Sequence, residues 1–422
     1  MERIEKGQSP PGPLAPYRVL DLADKISGVY CTRILAALGA DVIKIEPPGG
    51  DPMRRIGPFY HDEPHPEKSL NWFTYNLNKR SVTLNIQCAT GQEVFKQLAR
   101  TADFVVESFR PGSLDSLGLG YSGLSAINPR IILTSVTPFG QKGPYSQFKG
   151  SHLIASAAGG YVFQCGDEDR PPVQITTPVG ELQAGLIAAA ATMVAHWYRE
   201  TTGEGQYVDV SAQEALNVLG LPRFMYWKSH GIMPRRTASG VMTGPPEGPE
   251  PDRFFECKDG LVFCDPTTAQ YLPQLREWLA SEGMAGDLFD EKWEPFFRGN
   301  LRVTREQAPY IAECFRAFTR KHTKMEVMFE GQKRGLEIVM VQDVRDLMAD
   351  RHLQERGYWG KVEHPELNDA IVYGGAPFKS DVMSYGYSRR APFIGEHNRE
   401  ILIGELGLSS QQLVILKEGG VI

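Results

Sequence analysis

The sequence predicts an α/β protein with a doubly wound large domain and a smaller α/β domain. Its 422 residues favour two or three domains. Strand-like and helix-like segments alternate over the first 140 or so residues, which is typical of parallel sheets. Gly and Pro then become frequent after residue 219, and a hairpin pattern with further helices follows. The predicted domains are therefore 1–219 for the first part of the large domain, 220–335 for the small domain and 336–422 for a return to the large domain.

The first elements predict a βαβ unit. Tyr17–Asp24 is rich in β-branched and aliphatic residues and predicts a strand. A helix follows, with apolar residues at helical spacing, and ends at Gly39. The run ADVIKIEPP predicts the next strand, parallel to the first and joined to it by a right-handed crossover. The alternation continues with a strand at 81–86, a helix at 91–102 and strands at 103–109 and 130–137.

Two later segments have clear patterns. Residues 253–265 predict a hairpin that turns at Lys258-Asp259-Gly260. The uncharged run Leu182–Ala195 is too short to span a bilayer and predicts a buried helix. Thr177 can cap this helix, and Pro178 suits its first turn because the missing N–H is not needed there.

Composition excludes several classes of protein. The formal charge of −6 and the lack of a dense basic run argue against nucleic acid or an anionic membrane as a partner. The six cysteines show no C-x-x-C spacing and the nine histidines no metal-ligand spacing, so no metal site is expected. Scattered cysteines and a polar N-terminus without an apolar signal core predict a cytoplasmic protein. The first βα turn lacks G-x-G-x-x-G, which disfavours a nicotinamide dehydrogenase.

Polar and basic residues follow several predicted strands, where doubly wound sheets bind their ligands. The pair Arg54–Arg55 suits a phosphate or a carboxylate, although exposed turn charges are the alternative. Asn76–Ser81 could hold an adenine or a phosphate, or be a surface turn. Ser108 and Arg110 could reach a ligand, or belong to a plain βα loop. The strand-end loops are 23–28, 47–55, 108–113 and 138–151.

Glu181 is a carboxylate at the start of the predicted apolar helix. It falls in the first turn, where free N–H groups and the helix dipole favour an ionised carboxylate. An oriented carboxylate can attack an acyl thioester and form an anhydride. The alternative is an acidic residue that only stabilises the start of the helix.

Taken together, these segments resemble the class III CoA-transferases, a family that includes formyl-CoA, carnitine and benzylsuccinate CoA-transferases and α-methylacyl-CoA racemase. The resemblance runs from Tyr17 to Ile422. The stretch EKSLNWFTYNLNKRS and the absence of racemase features favour the benzylsuccinate-type branch. The family implies a Rossmann-like large domain, a small domain and two interlocked chains. The segments that carry the resemblance are, in order, YRVLDLADKISGVYCTRILAALGADVIKIEPPGGDPMRR, NLNKRSVTLNI, VVESFRPGSLDSLGLGYSGLSAINPRIILTSVTPFGQKGPY, TTGEGQYVDVSAQEAL, DLMADRHLQERGYW and IGEHNREILIGELGLSSQQLVILKEGGVI.

The resemblance also implies where CoA is held. Pro47 stands where some members carry an arginine and Thr137 where some carry a lysine, so Arg54 or Arg55 is expected to supply charge. CoA thioester is then a substrate, and no permanently bound cofactor or metal is expected. The residues that the resemblance places at CoA are Ile26, Ser27, Asn78, Lys79, Ser108, Phe109 and Arg110, with Arg54, Arg55 and Thr137 as further candidates.

Glu181 occupies the position at which the family carries a nucleophilic aspartate, in a segment that reads GELQAG here instead of ADLxAG. Glutamate can perform the same chemistry, but it adds one methylene, about 1.5 Å of reach. Ser151 stands in the racemase histidine position and His152 follows it, which disfavours racemization. Main-chain donors near Gly140 or in 240–248 are expected to stabilise the oxyanions.

Two functions stay open. In the first, the chain moves CoA from an acyl-CoA to a carboxylic acid, for example from succinyl-CoA to an aryl-substituted dicarboxylate, with Glu181 as the catalytic residue. In the second, it is a non-catalytic subunit paired with a homologous chain that keeps the aspartate. The expected partners are the acyl-CoA, the acid and either a second copy of the chain or a homologous subunit.

Overall fold

The computed structural model describes residues 12–167, 169–233, 235–237, 240–242, 253–268, 270–298, 303–304 and 306–422. The chain divides into two compact units. The first contains the described residues up to Phe163 together with Gln174–Leu221 and Gln354–Ile422. The second contains Gln164–Val173 and Pro222–Leu353.

Six parallel strands form the sheet of the first unit, in the order β3-β2-β1-β4-β5-β6. This order reverses direction between β1 and β4, as in doubly wound folds. A separate antiparallel pair, β12-β13, belongs to the same unit, while β7 to β11 belong to the second. The strands are β1 (Arg18–Asp21), β2 (Asp41–Glu46), β3 (Arg80–Thr83), β4 (Phe104–Glu107), β5 (Ile132–Thr137), β6 (Tyr207–Ser211), β7 (Arg235–Thr237), β8 (Gly240–Met242), β9 (Phe254–Cys257), β10 (Gly260–Cys264), β11 (Ile338–Met340), β12 (Trp359–His364) and β13 (Asp369–Gly374).

Helices cover the sheets and connect their strands. A π-helical segment, Arg399–Glu405, and short 3₁₀ turns complete the secondary structure of the described residues. The α-helices are α1 (Ile26–Ala37), α2 (Leu70–Tyr75), α3 (Ala89–Ala99), α4 (Ser113–Ser116), α5 (Tyr121–Ile127), α6 (His152–Ala158), α7 (Val179–Thr202), α8 (Ala212–Leu219), α9 (Leu221–His230), α10 (Leu272–Ser281), α11 (Glu294–Phe297), α12 (Ala308–Thr319), α13 (Lys324–Lys333), α14 (Val344–Ala349), α15 (Arg351–Glu355) and α16 (Ser410–Glu418).

The predicted βαβ unit is confirmed. The central strands are buried along their whole length, which explains their continuous apolar runs. α1 ends before Gly39, whose φ of +97° lies in the left-handed region that glycine tolerates. One face of the sheet packs against α1 and α7, and the other packs against α3, α5 and α16.

α7 differs from the buried helix that its composition predicts. Ala184, Gly185 and Ala188 lie on its buried face against α1. The opposite face exposes Val194 and Trp197, at 70% and 75% of their full accessible areas. The apolar helix therefore buries only one of its sides within this chain. That side packs against the sheet and α1, and no element of the described chain covers the opposite side.

The second unit has its own antiparallel sheet, in the order β11-β10-β9, with α10, α12 and α13 packed against it. β9 and β10 form the predicted hairpin around Lys258 and Asp259. The predicted end of the small domain, at 335, precedes β11, yet β11 pairs with β10 and completes this sheet. Residues 164–173 also belong to this unit, although the sequence predicts them in the large domain.

None of the helices in the described ranges is both long and apolar enough to cross a membrane.

Candidate active site

The candidate site lies at the carboxyl ends of β1 and β4, where the strand order reverses. The side chain of Ser108, after β4, joins the two loops that leave these strands. Its Oγ accepts hydrogen bonds from the backbone N–H groups of Asp24 and Lys25, both at 2.9 Å, and donates to the Asp24 carboxylate at 3.0 Å. Ser108 therefore holds the turn that begins α1. Crevices at such reversals are the usual ligand sites of open α/β sheets.

Glu181 lies in the first turn of α7 and reaches the start of α1. Its Oε2 accepts a hydrogen bond from the backbone N–H of Ser27 at 2.9 Å. The N–H groups at the start of a helix lack partners within the helix and carry partial positive charge. Two helix N-termini thus attract and orient one carboxylate, and the remaining oxygen, Oε1, has no hydrogen bond to the described residues in the structure.

The approach of α7 to α1 depends on Gly185. A Cβ atom at this position would lie 2.5 Å from the carbonyl oxygen of Ser27 and 3.1 Å from Cβ of Tyr30. The first of these distances is shorter than real Cβ atoms show, so glycine is needed for this spacing of the two helices. The same spacing sets the hydrogen bond between Ser27 and Glu181.

A cavity of about 660 Å³ opens beside Glu181. Lys25, Arg110 and Lys149 contribute to its wall, and Glu181 is the one carboxylate among the described residues that line it. Arg110 is exposed, and its Nε donates to the side chain of Gln147 at 3.1 Å. This charge balance favours an anionic ligand, which would lie beside the Glu181 carboxylate. Of the predicted residues, the cavity wall brings together Ser27, Ser108, Phe109, Arg110 and Glu181.

Arg54 and Lys79 lie elsewhere, in buried ion pairs. The Arg54 guanidinium is 1% exposed, binds the Glu46 and Glu67 carboxylates and lies 3.6 Å above the Trp72 ring. Lys79 is fully buried and its Nζ donates to the Asp21 carboxylate at 2.9 Å. Both cations are satisfied by the protein, which gives them a stabilising role here, and their contact with CoA stays a prediction.

The remaining predicted residues also lie outside the cavity wall. Asn78 holds a later part of the chain, since its Oδ1 accepts from the N–H groups of Ser388 and Arg389. Arg55 is exposed, in contrast to the buried Arg54 that precedes it. Ile26 packs partly buried against the cluster around Trp72. The Thr137 hydroxyl is buried at the end of β5 and has no hydrogen-bond partner in the described part of the chain.

The predicted oxyanion donors are only partly described. Gly140 has a φ of +80°, and the N–H of the next residue, Gln141, donates to the Asp209 carboxylate at 2.9 Å. Of the predicted loop 240–248, residues 243–248 lie outside the described residues.

Sequence reasoning does not assign site roles to Gln147, Phe148, Lys149 or His152, which all line the cavity. The available signal is their place in or directly after the strand-end loop 138–151. That loop position predicts a ligand nearby without showing which side chains turn toward it.

A second cavity, of about 410 Å³, lies on the other face of the sheet, with Glu107, Ser135 and Tyr207 in its wall. Glu107 is 4% exposed, and burial raises its pKa to about 7. The N–H of Phe109 donates to its carboxylate at 2.6 Å. Glu107 therefore anchors the loop that carries Phe109 and Arg110.

Comparison with known proteins assigns the family. The model of CoA-transferase family III matches residues 14–398. The chain is 34% identical over 396 residues to a subunit of succinyl-CoA:(R)-benzylsuccinate CoA-transferase from Thauera aromatica, covering 92% of this chain and 93% of the relative. It is 32% identical to the beta subunit of succinyl-CoA–L-malate CoA-transferase from Chloroflexus aurantiacus, covering 97% and 98%. A CAIB/BAIF family protein from Brucella suis has a similar crystal structure, with a TM-score of 0.78, 25% identity and coverage of 93% and 99%. With a family model that matches nearly the whole chain, and with relatives above 30% identity over most of their length, the chain belongs to CoA-transferase family III.

Proposed function

We propose that this CoA-transferase uses Glu181 as a covalent nucleophile that carries first the acyl group and then CoA. The observation that carries the proposal is the Glu181 carboxylate, held by the Ser27 N–H at 2.9 Å on the wall of a cavity rich in cations. Because one oxygen is anchored and the other has no partner in the described residues, the carboxylate is oriented for attack.

The transfer proceeds in balanced steps. The Glu181 carboxylate attacks the thioester carbonyl of the acyl-CoA. The C–S bond breaks, CoA leaves as a thiolate, and the acyl group stays on Glu181 as a mixed anhydride. The thiolate attacks the Glu181 carbonyl and releases the first acid, leaving a glutamyl-CoA thioester. The second acid attacks this thioester, which forms a new anhydride and expels CoA thiolate. The thiolate then attacks the carbonyl of the second acyl group, and Glu181 returns as a carboxylate.

The substrates proposed are succinyl-CoA as donor and an aryl-substituted dicarboxylate as acceptor. Both relatives described above act on succinyl-CoA, and one of them transfers CoA to benzylsuccinate. Phe109 and Phe148 give the cavity an aromatic surface next to its cations. An aryl ring and a carboxylate in one molecule match these two kinds of wall.

A covalent adduct tests the nucleophile. The protein is incubated with succinyl-CoA, treated with hydroxylamine or borohydride, digested and examined by mass spectrometry. Modification is expected at Glu181 and is expected to vanish in Glu181→Gln. An active preparation whose Glu181 stays unmodified would reject the role.

The second candidate function is a non-catalytic subunit of a heteromeric CoA-transferase. It is favoured by glutamate in the aspartate position and by relatives that are named as subunits. Purification of the chain alone separates the two candidates. Measurement of its molar mass and its transferase activity is expected to show an active homo-oligomer, whereas activity that appears only with a homologous partner would support the subunit role.

A further inference from the structure

His152 lies beside Glu181 and has no role in the transfer described above. It is the first residue of α6 and packs against the first turn of α7. A Cβ atom at Gly180, the residue before Glu181, would lie 3.4 Å from the His152 Nδ1. His152 also lines the cavity that contains Glu181.

Only one of the two ring nitrogens of His152 has a hydrogen-bond partner among the described residues. Nδ1 lies 3.4 Å from Oγ of Ser156, a residue that is 1% exposed. Nε2 is shielded from solvent and has no hydrogen-bond partner among the residues that the structure describes. Buried polar atoms without partners are rare because they cost free energy. A ligand in the cavity reaches Nε2 only when the imidazole turns toward it, and the hydrogen bond that then forms removes this cost.

The chemistry of the transfer shows which ligand group needs such a partner. The Ser156 hydroxyl can donate to Nδ1, which leaves the imidazole proton on Nε2 as a donor. The phosphates of CoA are separated from its sulfur by the pantetheine arm. The anion that must enter and leave beside Glu181 is therefore the carboxylate of the acid substrate.

We propose that His152 binds the carboxylate of the acid substrate through Nε2 and so determines affinity for the acid. This inference rests on the proposed covalent transfer, since in that reaction the reacting carboxylate of the free acid comes to Glu181. It assigns His152 to the acid alone and leaves acyl-CoA binding to other residues.

Two exchange reactions of the full chain separate these roles. Exchange of labelled CoA into succinyl-CoA needs anhydride formation and release of the bound CoA, but no free acid. Exchange of labelled succinate into succinyl-CoA needs the acid as well. For His152→Ala, we expect the KM for succinate to rise roughly tenfold to a hundredfold, as for a lost hydrogen bond to a charged group, while CoA exchange is kept. His152→Gln is expected to recover part of the succinate affinity, because its amide also donates.

The control is His352→Gln, an exposed histidine in α15. It is expected to leave both exchanges unchanged. An unchanged KM for succinate in both His152 variants, or an equal loss of the two exchanges, would overturn the proposal. If circular dichroism shows that His152→Ala does not fold, the KM for succinate of His152→Gln is the test, and an unchanged value would overturn the proposal. An active wild type that forms no adduct at Glu181 with succinyl-CoA would instead overturn the covalent transfer itself.

Discussion

At the scale of single residues, the length of the Glu181 side chain is matched to the hydrogen bond with Ser27. Glu181→Asp keeps the carboxylate but withdraws it by about 1.5 Å. A displacement of this size is expected to lower transfer activity by roughly tenfold to a hundredfold. Glu181→Gln is expected to abolish activity, because an amide cannot form the anhydride. Initial rates of succinyl-CoA consumption with an acceptor acid measure both effects.

The outcome of these variants also separates the two proposed functions. Full activity in Glu181→Gln would end the assignment of the nucleophile. In a non-catalytic subunit, Glu181→Asp would leave an assembled heteromer unchanged or would create weak new activity, since aspartate is the residue of the related family segment.

Glu107 gives the stability of the protein a dependence on pH. Burial raises its pKa to about 7, against an ordinary value of 4.5. Between these pH values the folded state binds more protons than the unfolded state, so the free energy of unfolding falls as pH rises. The shift corresponds to roughly 3 kcal/mol. Urea unfolding at several pH values is expected to show that Glu107→Gln removes this decline, whereas the exposed control Glu418→Gln keeps it. A wild-type profile with the same slope as Glu107→Gln would contradict the assignment.

Residue patterns predict part of the site. Glu181, Ser108 and Arg110 stand out because strand ends and helix starts are visible in sequence, and these residues line one cavity. Arg54 and Lys79 follow the same kind of pattern but are paired with carboxylates that lie on other segments. Spacing along the chain does not show which acidic residue will meet a given cation, so these ion pairs could not be predicted.

At the scale of secondary structure elements, the contact of α1 with α7 sets the position of Glu181, the proposed nucleophile. Gly185→Ala places a methyl group where the Ser27 carbonyl now lies, and the helices must separate. We expect a loss of about 1–3 kcal/mol in the free energy of unfolding. Activity is expected to fall on the order of a hundredfold, because the Ser27 N–H moves away from Glu181. Chemical denaturation measures the loss of stability, and kcat measures the loss of activity.

The matched control for this contact is Ala190→Ser on an exposed position of the same helix, which is expected to change neither quantity. Wild-type activity in Gly185→Ala would show that the spacing of α1 and α7 does not position Glu181.

Elements with long apolar patterns are predicted well, because burial of parallel strands imposes continuous apolar residues on them. The partner of an element is harder to predict. β11 joins β10 through backbone hydrogen bonds, which leave little trace in side-chain pattern, so the predicted boundary places residues 336–353 in the other domain. The exposed face of α7, with Trp197, escapes prediction because composition does not distinguish its two sides.

At the scale of the whole molecule, Arg80 forms ion pairs with two segments that are far apart in sequence. Its guanidinium binds Asp41 on the adjacent strand and also Glu400, both at 2.6 Å, as well as Glu405. Arg80 is 7% exposed but its carboxylate partners are partly solvated, so Arg80→Gln is expected to cost about 1–3 kcal/mol of stability. Chemical denaturation at low and high salt measures this loss, which is expected to shrink at high salt.

Lys96→Gln is the matched control, since Lys96 pairs with the exposed Glu93 three residues away. It is expected to change stability by less than about 1 kcal/mol. An Arg80→Gln variant as stable as this control would show that the long-range ion pairs contribute nothing.

The long sequence separation of Arg80 and Glu400 also has a consequence for folding during synthesis. The two residues are 320 positions apart, and the whole second unit is encoded between them. A ribosome that adds roughly 5–20 residues per second needs roughly 16–64 s to pass from one to the other. During that time, the apolar face that later receives Ile401, Leu402 and Leu416 is covered only in part, by helices such as α3 and α5. The nascent large domain is therefore exposed to misassociation until these residues have been translated, which is the interval in which a molecular chaperone can protect it.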